Sequence, residues 1–209
     1  MKRGIRHFPR LWRASRLARR WYYARAGAYP DWRSLIEPEA ELWQPARAGA
    51  QGGPRVLMAT AIGSYAHAAT LESVLSAALT FRGAEVHALL CDGSMTACAE
   101  CDASLYPDLS RFAEHGPSQD LCRDCFSPAE SVYRQLGITV HKFSEWLGPD
   151  DRAEARRIAN TTPANEIQAY TLDGLVIGEH AYAGTLRFFA TGALDDEPMA
   201  EPILRRYFE

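Results

Sequence analysis

Four of the five cysteines fall in two short pairs, Cys98-Ala99-Glu100-Cys101 and Cys122-Arg123-Asp124-Cys125, separated by twenty residues. Two residues between sulfurs let both turn onto one ion, and two such pairs joined by a spacer of this length match a zinc-site spacing. Cys98, Cys101, Cys122 and Cys125 are therefore the candidate metal ligands, with Zn2+ as the expected cofactor. Four thiolates close the coordination shell and leave no position for a reacting water, so the expected role is structural. A closed site also argues against a metal or redox sensor. An iron–sulfur cluster accepts the same ligand set. Free thiols or two disulfides are the remaining readings, and a reducing compartment disfavours disulfides. The segment 98–125 is short and polar, and the expectation is that its thiolates replace a core it cannot build. Cys91 ends an apolar run and is expected to be a packed small side chain.

A second set of polar residues is defined by position. An apolar run, Val56 to Thr60, is followed by Gly63-Ser64 and then by a helical pattern that takes in His67. A second run, Val86 to Leu90, ends at Cys91-Asp92-Gly93. In parallel α/β sheets, ligands sit beyond the carboxyl ends of the strands. Gly63, Ser64, His67 and Asp92 are all expected at such ends. His67 also falls near a helix N-terminus, where a ring can reach a bound anion. Asp92-Gly93 reads equally well as a turn. Neither a G-x-G-x-x-G nor a Walker loop is present, so the glycine turn alone assigns no nucleotide. Glu179 and His180 head a further apolar helical stretch, 179–190, and are candidates for substrate contact; helix capping and core packing account for them as well.

The elements that position these residues follow from periodicity. Val56 to Thr60 has the length and apolarity of a strand buried on both faces. Leu71, Val74, Leu75, Ala78 and Leu79 recur at helical spacing from His67 to Phe81 and are expected to face a sheet, and Arg82-Gly83 stops that helix. Glu85 to Cys91 is the second strand, so a right-handed parallel crossover is expected. Beyond the cysteines come a short helix from Ser127 or Pro128 to Leu136, a third strand from Ile138 to Phe143, and a helix from Arg152 to Asn160 with acids first and arginines last. A short amphipathic helix from Met199 to Phe208 closes the chain. Residues 167–175 read ambiguously.

The ends of the chain differ in charge. The first 35 residues hold ten of the 23 Lys and Arg residues against the single acid Asp31. That makes about +9 on a body of about −12, for a net charge of −3. From Arg10 to Arg25 the apolar residues Leu11, Ala14, Leu17, Ala18, Trp21 and Tyr22 share one helical face. This basic amphipathic segment suits docking on the acidic body of this chain or a second subunit, or peripheral contact with an anionic membrane. No nucleic-acid module accompanies it. Residues 26–54 carry Pro30, Pro38, Pro45 and Pro54 and are expected as an irregular connector. A chain of 209 residues with 47% hydrophobic content buries one sizeable core. No run of eighteen apolar residues and no signal-type segment is found, so a cytoplasmic location is expected, with membrane contact only at the inner face. The domain division expected is 1–54 for the leader and connector and 55–209 for a Rossmann-like domain, with 98–125 as its metal-binding insert.

The run Val56-Leu57-Met58-Ala59-Thr60-Ala61-Ile62-Gly63, followed by a helix and by Arg82-Gly83-Ala84-Glu85-Val86-His87, resembles the opening of GT-B glycosyltransferases. Leu90-Cys91-Asp92-Gly93 with the two cysteine pairs is similar to a subset associated with capsule and other surface-polysaccharide synthesis. The resemblance spans roughly residues 55–190. It implies an α/β fold with a Rossmann-like parallel sheet flanked by helices, half of a GT-B fold with a small zinc-knuckle insert. It also implies a nucleotide-sugar donor, a glycan or lipid-linked acceptor, and His67 or Asp92 as the base that takes the acceptor hydroxyl proton. GT-B enzymes hold the donor largely on a second Rossmann-like domain, which is not found in these residues, and Gly63-Ser64 stands where many members carry two glycines. The expectation is therefore an acceptor-side domain, truncated or completed by a partner chain. A non-catalytic, zinc-stabilised protein-interaction module is the alternative.

Overall fold

In a computed structural model, which describes residues 27–59, 62–106 and 108–209 together with Ser15, Ala18 and Tyr22, the expected strand–helix–strand unit is present. Strand β1 is Arg55–Met58, helix α3 is Ala66–Phe81 and strand β2 is Glu85–Leu90. A third strand, β3 at Thr139–Lys142, completes an open sheet in the order β1-β2-β3. Both pairings are parallel, Val56 beside Val86 and Leu89 beside His141. The fold is α/β, with a small parallel sheet flanked by helices.

The chain divides into two compact units, Met1–Asp92 with Arg123–Lys142, and Gly93–Cys122 with Phe143–Glu209. The segment expected as a metal-binding insert is shared: residues 98–122 belong to the second unit and 123–125 to the first.

In the first unit, alternate strand residues Val56, Met58, Val86, Ala88, Leu90 and Val140 turn to one side of the sheet and pack against helices. Their neighbours Leu57, His87, Leu89 and His141 share the other side, as the period of two requires. Strand β1 is not buried on both faces as expected. It lies at a sheet edge, and Leu57 is 54% exposed.

Helix α3 is where expected, but it is turned over. Leu71, Val74 and Leu75 are 72%, 51% and 50% exposed, while Ala69, Ser73, Ser76, Ala77 and Thr80 are buried. The physical reason lies in the hydroxyls. Ser73 Oγ donates to Thr70 O, Ser76 Oγ to Glu72 O and Thr80 Oγ1 to Ser76 O, at 2.8, 2.7 and 2.9 Å. Each polar group is satisfied within the helix and behaves inward as a small apolar side chain. The small face then packs closely.

The segment 26–54 is not an irregular connector. Helix α1, Trp32–Ile36, is capped by Asp31, whose carboxylate accepts from Ser34 N. Helix α2, Ala40–Ala50, contains Pro45 and buries Trp43 to 4% exposure, with the Phe81 ring edge-on at 5.4 Å. Proline removes one ladder bond, and burial of a large indole offsets that loss.

Helix α4, Leu109–His115, begins the second unit's helices and is not expected from the sequence; Asp108 caps it and Gly116 ends it at φ 67°. Helix α5, Gln119–Gln135, starts well before the expected Ser127 and runs through Pro128. Tyr133 of α5 is fully buried and donates to Glu72 Oε2 at 3.1 Å.

Helices α6 at Pro149–Thr161, α7 at Ile177–Phe189 and α8 at Ala200–Phe208 agree with expectation to within a few residues. The ambiguous stretch is a 3-10 turn, Ala164–Ala169, followed by a Leu172–Leu175 bridge. The second unit has its own core. Phe112 stacks on Phe188 at 4.8 Å, with Ala97, Cys101 and Ile203 buried beside them. The cysteine segment thus does not lack a core: it shares one with α7 and α8.

The basic segment 10–25 lies outside the described residues, apart from Ser15, Ala18 and the exposed Tyr22. Among the described residues no helix is long and apolar enough to cross a membrane.

Candidate functional site

The Cys98 to Cys101 segment is a tight turn closed by Cys101 N donating to Cys98 O at 3.0 Å. The turn brings the two sulfurs to 3.7 Å. Two thiolates at zinc–sulfur distance in a tetrahedral shell stand about 3.8 Å apart, whereas a disulfide needs about 2.0 Å. The pair therefore has ligand spacing, and its cysteines are free. The Cys98 thiol bonded to Cys101 pulls the Cys101 pKa down, and the Tyr106 hydroxyl adds to this. The same bond, followed by burial, pushes Cys98 up.

Cys122 and Cys125 stand in helix α5, three residues apart and on one helical face. This is a helical pair and not a second knuckle turn. Cys122 crowds Gly93, where an added Cβ would lie 3.0 Å from the Cys122 Cβ and the backbone φ is 96°. Cys125 Sγ accepts the Ser64 backbone N–H at 3.2 Å. Among the described residues no group of three or more His, Cys, Asp or Glu side chains is gathered as a metal site. What is formed is the Cys98–Cys101 pair.

Two further side chains grip the first pair, and neither carries a signal in the sequence. Arg187, in the last turn of α7, donates from Nη2 to Cys98 O at 2.9 Å and to Cys101 O at 2.7 Å. Tyr207 of α8 donates to Cys98 O at 3.0 Å. Burial and the neighbouring Cys101 push the Tyr207 pKa up, which keeps the hydroxyl protonated as a donor. No spacing rule links a cysteine carbonyl to residues 86 to 109 positions away.

The strand-end residues are occupied differently from one another. Gly63 is buried, and an added Cβ would sit 2.6 Å from Cys125 O and 2.8 Å from the Ala129 Cβ. Its carbonyl accepts from Tyr29 OH at 3.0 Å. The glycine is thus needed for close approach of α5, and the Ser64 N–H is engaged by sulfur. His67 is exposed on the first turn of α3, edge-on to Tyr65 at 6.2 Å. Asp92 follows the end of β2 and is half-buried. In the second unit, Glu179 and His180 are exposed on the first turn of α7, whose buried positions are Gly178, Ala181, Thr185 and Phe188.

The sequence reading also missed a histidine pair on the sheet. His87 Nδ1 and His141 Nε2 are 3.0 Å apart. With ring centroids at 5.1 Å and planes within 22°, the rings meet edge to edge. One nitrogen donates and the other accepts. Glu85 Oε1 lies 3.7 Å from His87 Nε2, and Arg55 lies 3.5 Å from Glu85.

No protein-family model, curated protein or solved structure matches this chain.

Proposed function

We propose that this chain is the acceptor-side domain of a GT-B type glycosyltransferase of surface-polysaccharide synthesis, stiffened by a structural zinc on Cys98, Cys101, Cys122 and Cys125. The observation that carries the reading is the 3.7 Å spacing of Cys98 and Cys101 directly downstream of the second strand of a parallel strand–helix–strand unit. That combination supports the family resemblance at its more specific point. Cys98, Cys101, Cys122 and Cys125 would hold the zinc, which would fix loop geometry and leave no open position for a substrate.

The chain's own residues would do the rest. His67, exposed at the head of α3, and Asp92, just past β2, are the groups assigned here to take a proton from an acceptor hydroxyl. The donor sugar would be held by a second Rossmann-like domain. The closely packed Gly63-Ser64 turn does not favour a phosphate site here, since its N–H and its Cβ space are already used. Glu179 and His180 remain candidates for acceptor contact. The basic segment 10–25 would keep the domain near lipid-linked acceptors at the inner membrane face.

The test is acceptor binding and sugar transfer by the chain together with a donor-side domain. Transfer that falls about a hundredfold in His67→Ala or Asp92→Asn, with an unchanged melt, is the expected result for a general base. Folded protein that binds neither acceptor glycan nor lipid-linked sugar would remove the reading.

A further inference from the structure

We propose that Arg187 and Tyr207 act together as a clamp that holds the Cys98–Cys101 turn in its ligating shape, so that the first half of the metal site exists before the ion arrives. This rests on the four-thiolate reading given above. It concerns two residues that touch no metal ion and act through the peptide groups of its ligands.

Within the turn, Cys101 N donates to Cys98 O at 3.0 Å and the two sulfurs meet at 3.7 Å, which leaves both carbonyls able to accept from outside. Arg187 Nη2 spans the two carbonyls at 2.9 and 2.7 Å, and Tyr207 OH lies 3.0 and 3.3 Å from the same two oxygens. Arg187 and Tyr207 also meet each other at 3.4 Å. Hydrogen bonds from a charged donor are roughly twice as strong as neutral ones. With both carbonyls pinned, the backbone that carries the Cys98 and Cys101 side chains is held in its turn.

The clamp is itself braced. Gly184 lies three residues before Arg187 on α7, and an added Cβ there would fall 2.6 Å from Tyr207 Cδ1. The glycine therefore lets the Tyr207 ring lie against the helix. Phe188 packs edge-on to Tyr207 at 6.1 Å, and its carbonyl accepts from Ala103 N at 2.8 Å, just beyond the turn. Both ends of the Cys98–Cys101 turn are thereby tied to α7.

Charge points the same way. Four thiolates on a divalent ion leave about two net negative charges. Arg187 brings a permanent cation to the ligand carbonyls, where groups behind the ligands tune affinity by about tenfold to a hundredfold.

The experiment measures zinc affinity by competition with a chromophoric chelator, and the cobalt-thiolate absorption bands, for the full chain and for Arg187→Met, Arg187→Lys and Tyr207→Phe. The melting midpoint of each metal-free protein is recorded alongside. A ten- to hundredfold loss of zinc affinity in Arg187→Met is expected, with a smaller loss in Tyr207→Phe, part recovery in Arg187→Lys, and metal-free midpoints close to the parent. Affinities within twofold of the parent would overturn the clamp. So would a loss matched by an equal fall in metal-free stability, which marks a merely structural contact. If Arg187→Met does not fold, Tyr207→Phe decides by the same criteria. A parent chain that takes up neither zinc nor cobalt would end the four-thiolate reading itself, and the clamp with it.

Discussion

Gly63 sits where β1 hands the chain towards α3, and the space its missing side chain leaves is filled by the Cys125 carbonyl and the Ala129 methyl. Gly63→Ala should therefore lower stability by about 1–3 kcal/mol, the usual cost of forcing one extra methyl into a packed contact. A reduced urea midpoint at unchanged slope would show it, and an unchanged midpoint would mean that α5 yields. At this scale the sequence was partly legible. Spacing marked the four cysteines as candidate ligands, and of these Cys98 and Cys101 are found side by side. Gly63 was legible as a turn glycine but not as a packing glycine, since only the approach of α5 decides which constraint applies. Arg187, Tyr207 and the His87–His141 pair were not legible at all. Their partners lie far along the chain, and an arginine near a helix end is ordinarily read as dipole compensation.

Elements were found more reliably than their orientation. The order and type of β1, α3, β2, β3, α6, α7 and α8 followed from periodicity, yet α3 presents Leu71, Val74 and Leu75 outward while Leu79 packs inward. Periodicity reports that a face is apolar, and α3 has two candidate faces once its serines and threonine bond to their own helix. Leu71, Val74 and Leu75, with Phe81 57% exposed at the helix end, form an outward apolar stripe of the kind that binds hydrophobic probes. Replacing Leu71 and Leu75 together by Glu should reduce binding of a hydrophobic dye and self-association, while changing stability by no more than about 0.5 kcal/mol per site. Ser76→Leu, on the buried side, should instead cost about 1–3 kcal/mol. Urea titration and dye fluorescence of the two variants separate the faces; equal destabilisation by both would contradict the orientation. Helix α2 was hidden by Pro45 and α4 by its shortness. In both, a buried aromatic, Trp43 or Phe112, decides the matter.

For the whole chain, the sequence reading made the metal a substitute for a core. The second unit instead buries Phe112, Phe188 and Ile203, so the region of Cys98 and Cys101 has apolar packing of its own. Chelation of the purified protein should accordingly lower the melting midpoint but leave a cooperative transition and most of the helical circular dichroism. Complete loss of helix on chelation would show that the packing described for Phe112 and Phe188 does not stand without the ion.

The order in which the two units are written into the chain carries a consequence for biosynthesis. Unit one is interrupted after Asp92 and resumes at Arg123, while unit two is interrupted after Cys122 and resumes at Phe143. As the polypeptide leaves the ribosome, β1 and β2 must wait for β3, and the residues around Phe112 must wait longer still for Phe188 and Ile203. Domains usually fold as they emerge, at about 5–20 residues per second. Here neither unit is finished before the other has begun, so the nascent chain holds an incomplete sheet and its thiols in the open for seconds. Those thiols are most exposed to oxidation, and most available to a passing metal ion, during that interval.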